Sequence, residues 1–256
     1  MSMRAKQHAH NATVLEQALV DAVSYRYSTR EVPAGSAPSI GAHADAMRRV
    51  NPAHGEKSLD IAALTIDALM KTALWKLYQA RNGEPDLATP VLEVRKILES
   101  ALGNPDARYY PSILHLCIHL TEMFKCSEVA LKANHCLRNL VPDGGHIHHM
   151  SSHIDVLVGN YRRAMHTSLK PTYADEKYLA REEAQNLSSC YRLQNHHSLI
   201  YAAMVAGNKY HALDAISRIE STITKELLRM KSPPMADWLK PLNTVRVYVH
   251  VRFGTW

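Results

Sequence analysis

The chain is expected to be all-α, built from antiparallel helix pairs stacked as an α-solenoid, and three observations carry that expectation. Composition is the first. Among 256 residues there are only 10 Gly and 2 Phe, which disfavours a sandwich or barrel with its many tight turns. Periodicity is the second: apolar residues recur at helical spacing almost throughout, and no alternating strand pattern competes. The third is a small-residue turn between helices that returns along the chain. With 46% apolar and 21% charged residues, the chain can bury a sizeable core, and general disorder is excluded.

Taken in order, Asn11 to Tyr27 forms the first expected helix, with Val14, Leu15, Ala18, Leu19 and Ala22 on one face. Val32–Pro38 reads as a breaker. A short helix over Ala42–Val50 should end near Asn51-Pro52, and a long apolar helix covers Leu59–Ala80 until Gly83 and Pro85 close it. Thr89-Pro90 has the form of an N-cap followed by proline in the first turn, which opens a helix to Leu102. From Pro111 the helices pair: Ser112–Phe124 with Ser127–Val141, His146–Val158 with Tyr161–Leu169, and Tyr191–Ala206 with Tyr210–Met230. A polar, solvated helix is expected beyond Pro171, and a last helix over Leu242–Phe253 after the breaker Ser232-Pro233-Pro234.

The pairs repeat. Ala130 and Ala164 occupy equivalent positions 34 residues apart, and Gly159-Asn160 recurs as Gly207-Asn208, with Gly254 offering the turn once more. A period of 34 with glycine at the inter-helix turn and alanine further along is the tetratricopeptide signature. The expected organisation is one continuous domain: an N-terminal helical region over 1–110, then repeats at 111–145, 146–190 and 191–231 and a partial one at 232–256. An irregular helical bundle is the competing architecture.

HLCIHLTEMF (115–124), HHMSSHIDVLVGNYRRA (148–164), YRLQNHHSLIYAAMVAGNKYHAL (191–213) and VHVRFGTW (249–256) resemble a largely uncharacterised group of tetratricopeptide-repeat proteins of bacteria and fungi. Its members share His-x-x-x-His-x-x-Glu, His-Met-x-x-His-Ile and Arg-Phe-Gly-x-Trp strings, and GAHADAMRRV (41–50) and LDIAALTIDALM (59–70) resemble its upstream helices. Ser151 stands where relatives commonly have Pro, and Gln194 where they have His. Members of the group are also longer at both ends, so the chain looks abbreviated, with an edge expected to be left uncapped.

Histidine is the unusual component, 16 of 256 residues. Fifteen residues before the anchor alanines Ala130, Ala164 and Ala212 stand His115, His149 and His197; eleven before stand His119, His153 and Tyr201. Glu122 lies three residues after His119, so His115, His119 and Glu122 share one helix stripe, and His149 with His153 another. The resemblance implies that these first helices line a concave groove and that the stripes point into it. Packed helices lie roughly 8–10 Å apart, close enough for side chains from two neighbours to meet around one ion.

The chemistry that fits is metal coordination. Imidazoles at i, i+4 present nitrogen lone pairs to one point, and a carboxylate one turn on adds charge. Such a nitrogen-rich set without thiolates favours a transition metal (Cu, Fe or Zn) over Ca or Mg. The expected ligands are His115, His119, Glu122, His149 and His153, with His197 at the edge. Glu122 is the candidate catalytic residue, as ligand, general base or orienting partner. The function that follows is a metal-dependent enzyme acting on a small molecule, with oxidation ahead of hydrolysis. The alternatives are a scaffold whose groove takes a peptide or protein partner, and a structural ladder of hydrogen-bonded histidines. His146 and His148 are expected in a loop and cap, and His196 against a neighbouring helix.

Other classes recede. The formal charge of +6 (30 Lys+Arg against 24 Asp+Glu) is too mild and dispersed to indicate nucleic acid. Cys117, Cys126, Cys136 and Cys190 lack Cys-x-x-Cys spacing and fit reduced, buried thiols. The chain shows no phosphate loop, nucleophile elbow, dinucleotide fingerprint or His-Glu-x-x-His string. Without a secretory signal or an apolar run long enough to span a membrane, a cytoplasmic protein is expected, with homo-oligomerisation left open.

Overall fold

The structure is a computed structural model. It describes residues 2–27, 37–181, 187–223 and 244–255, together with 225, 229, 239 and 242 singly. Twelve α-helices are present among the described residues, and no strand; an isolated antiparallel bridge joins Tyr78 to Pro85. The all-helical expectation is met. No helix among these residues is long and apolar enough to cross a membrane. Contacts divide the chain into two compact units, Met1–Ser127 and Glu128–Trp256. This division falls within the stretch 111–145 that the sequence presents as one repeat.

The first unit contains α1 (Ser2–His8), α2 (Val14–Arg26), α3 (Ala37–His54), α4 (Leu59–Met70), α5 (Val91–Leu102) and α6 (Pro111–Thr121). α2 starts where Thr13 and Glu16 form a reciprocal capping box. α3 is far longer than Ala42–Val50, because Pro38 sits in its first turn, where a missing N–H costs nothing, and Pro52 falls in its last. α4 is shorter than expected. It ends at Met70, a 3₁₀ turn follows over Lys71–Ala73, and Trp75 takes a left-handed backbone at φ 60°. Apolar content extended the expected helix to Ala80, but Leu77 and Tyr78 are buried from a loop instead.

That loop is tied down by hydrogen bonds from Gln79 N to Glu84 O and from Asp86 N to Leu77 O. Its turn residue Gly83 has φ 67°, and a β-carbon there would stand 2.8 Å from the backbone nitrogen of Lys125. Glycine is therefore required twice over, by conformation and by close approach. Thr89 is not the expected cap: its hydroxyl donates to Asp86 O, and Pro90 itself precedes the first turn of α5. Arg48 of α3 forks onto the Glu93 carboxylate of α5, with Nε and Nη2 at 2.8–3.0 Å.

The second unit contains α7 (Leu131–Leu137), α8 (Gly145–Leu157), α9 (Tyr161–Leu179), α10 (Leu187–Val205), α11 (Lys209–Thr222) and α12 (Val245–Phe253). α7 is only the core of the expected Ser127–Val141 helix, preceded by a 3₁₀ turn. α9 continues through Pro171, where a break was expected, and includes the polar stretch as far as Leu179. The breaker Ser232-Pro233-Pro234, Val32–Ser36 and Trp256 lie outside the described residues.

The recurring turn is real. Gly159 and Gly207 both take left-handed backbones (φ 75° and 74°), and the next N–H reaches back five residues, Asn160 to Asp155 O and Asn208 to Ala203 O, each at 2.8 Å. Asn160 and Asn208 then accept from the backbone N–H groups of Arg163 and His211, capping the following helix. Gly254 repeats the left-handed turn with Thr255 N bonded to His250 O. The anchor alanines Ala130, Ala164 and Ala212 are all fully buried.

α8 is held by a buried ion network. Asp155, inaccessible to solvent, accepts from Asn134 and Arg138 of the α7 segment and from Arg163 and Thr167 of α9. At the other end of α8, Asn195 donates to Asp175, and a β-carbon on Gly145 would stand 2.4 Å from that carboxylate. Any larger residue there would have to displace the Asp175 carboxylate, which stands against the positive end of the helix. Burial raises the Asp175 pKa, with Asn195 working against it.

Candidate histidine sites

The predicted ligands fall into two groups, one in each unit. In the first, α6 buries Ile113, Leu114, Leu116, Cys117, Ile118 and Leu120, leaving His115 and His119 half-buried on the remaining stripe. Their rings stand 4.6 Å apart, centre to centre, at 77°, and a ring nitrogen of each lies within 4.8 Å of the other. Helical spacing placed them there, as expected.

Glu122 completes this stripe in a specific way. The helix ends at Thr121, whose hydroxyl bonds back to Cys117 O, and the nearly buried Glu122 carboxylate accepts from His119 Nδ1 at 2.9 Å. That bond fixes the tautomer and orientation of the His119 ring, as carboxylate partners of metal-bound imidazoles do. Of the three roles open to Glu122, the geometry favours the orienting one.

Trp75 packs edge-on against His119, with centroids 6.4 Å apart at 82°. Composition gave no reason to join these residues, since Trp75 was expected inside a helix. A left-handed tryptophan is strained by about 1–2 kcal/mol, and here an exposed indole is held beside an imidazole.

In the second unit, His149 and His153 of α8 repeat the same ring geometry, 4.6 Å and 77°. Their Nε2 atoms approach to 2.8 Å, one ring donating to the other. His149 is buried and His153 half-buried. His146 lies in the first turn of α8, not in a loop, with its ring 5.8 Å from that of His149 and 5.2 Å from Tyr191. His148 is also helical; its Nε2 donates to Pro142 O. His197 stands apart: it is exposed, and among the described residues no hydrogen bond or ring contact joins it to His149 or His153.

His196 faces its neighbours from inside the core. It is fully buried, neither ring nitrogen has a hydrogen-bond partner among the described residues, and its pKa falls to about 4. Burial is the main cause, aided by the Arg192 and Arg218 charges and opposed by Asp214. The cysteines divide: Cys117 is buried with its pKa pushed up to about 11 by burial, Cys136 is half-buried, and Cys126 is exposed, contrary to the expectation that all are buried. The Cys190 side chain lies outside the described residues.

Comparison with known proteins returned no matching family model, no matching curated protein and no matching solved structure.

Proposed function

We propose that the two histidine pairs are ligands for a transition metal, and that the chain is a tetratricopeptide-like helical-repeat protein using that metal on a small molecule. The observation that carries the metal reading is the duplicated geometry: two i, i+4 imidazole pairs at the same ring separation and angle, one with a carboxylate on the far nitrogen. Two nitrogens bound to one tetrahedral ion at 2.0–2.1 Å stand about 3.3 Å apart. The 2.8 Å approach of His149 and His153 reaches that spacing with a small rotamer adjustment.

Imidazole nitrogens without thiolate select Zn, Cu or Fe over Ca or Mg. Glu122 would hold His119 in the ligating tautomer. The repeat reading is supported by the matched Gly-Asn turns and the buried anchor alanines.

Elemental analysis of the purified chain tests the proposal. Stoichiometric Zn, Cu or Fe is expected, reduced in His119→Ala and in His153→Ala, and lost when the two are combined. Metal-free protein whose melting temperature ignores added Zn, Cu and Ni would overturn it and favour a scaffold that binds a peptide.

A further inference from the structure

His115 has a second environment besides its pairing with His119. It lines a cavity of about 510 Å³ within the first unit, in the size range of small-molecule sites. Leu15 and Leu19 of α2 and Leu64 of α4 supply apolar wall. Besides His115, the ionisable groups lining it are Asp60 and Asp67; among the described residues no lysine or arginine does so, in a chain whose formal charge is +6.

The two carboxylates differ. Asp67 is paired with Lys71 at 2.5 Å, so its charge is largely offset. Asp60 accepts from the Tyr110 hydroxyl, a neutral donor that orients the carboxylate without cancelling its charge. The cavity therefore combines apolar wall, an imidazole and one exposed carboxylate that has no cationic side-chain partner among the described residues.

We infer that this cavity binds a small amphipathic amine, its apolar body against Leu15, Leu19 and Leu64 and its ammonium on Asp60. A cation satisfies the carboxylate by a charge-assisted bond, whereas a carboxylic acid of the same length would be repelled. Calling the amine a substrate rests on the metal reading, because His115 belongs to both places; the binding itself does not.

Calorimetric titration of the chelator-treated full chain with n-hexylamine, n-hexanol and hexanoate tests this. Hexylamine should bind more tightly than hexanol, and hexanoate should not bind. Asp60→Asn, which keeps an acceptor for Tyr110, should weaken hexylamine roughly tenfold and leave hexanol unchanged. Leu64→Trp should weaken both by filling the cavity. Hexylamine binding no better than hexanol, or equally well to Asp60→Asn, overturns the inference. Zn uptake measured on the same protein after the chelator is removed and the metal returned separates the two claims. Amine binding in a chain that takes up no metal strikes the metal reading alone, and metal uptake without amine preference strikes this one alone.

Discussion

Glu122 decides how His119 can act. Its carboxylate holds the Nδ1 proton, so the ring is fixed in one tautomer and one orientation. Glu122→Gln keeps the shape but can present an amide donor where an acceptor is needed; it should lower metal affinity by about 10–100-fold in a competition titration, with the melting temperature of the metal-free chain little changed. An unchanged affinity would remove Glu122 from the site. A different histidine governs acid stability. His196 is buried with a pKa near 4, against about 6.5 when unfolded, so the unfolded chain binds the extra proton between those values. Stability is therefore complete above pH 6.5 and falls as pH drops toward 4, by about 3 kcal/mol from this residue. His196→Leu should flatten that part of the stability-versus-pH curve in denaturant titrations; an unaltered slope would contradict the assignment. The histidine stripes were legible because i, i+4 spacing fixes direction on any helix. Trp75 was not, since a loop closed by Gly83 and Lys125 brings it to His119 through contacts distant in sequence.

Among the elements, α8 carries the most concentrated polar burial. Asp155 sits between two arginines, Asn134 and Thr167, joining α8 to the α7 segment and to α9. Asp155→Ala leaves the half-buried Arg138 without its carboxylate partner and should cost about 3 kcal/mol in urea unfolding. A loss below about 1 kcal/mol would mean that water replaces the carboxylate. Helix boundaries show where pattern reading stops. The sequence placed the ends of α8 and α10 and the starts of α9 and α11 well because Gly159-Asn160 and Gly207-Asn208 provide both a C-terminal turn and an N-cap. It misjudged the start of α3 because proline is tolerated in a first turn, the far end of α9 because that helix runs on through Pro171, and α4 because apolar content alone does not tell a buried loop from a buried helix.

For the whole molecule, two helical units each present an imidazole pair of matching geometry. The all-helical class followed from composition and period, because both depend on local propensity. The division at Ser127–Glu128 did not, because contact density depends on side chains far apart in sequence. X-ray absorption of the chain loaded with one equivalent of Zn is the most direct test of what these pairs do. The account predicts nitrogen or oxygen neighbours at about 2.0–2.1 Å with imidazole outer-shell scattering that weakens in His119→Ala and His153→Ala. Sulfur at about 2.3 Å, or a spectrum indifferent to both substitutions, would contradict it.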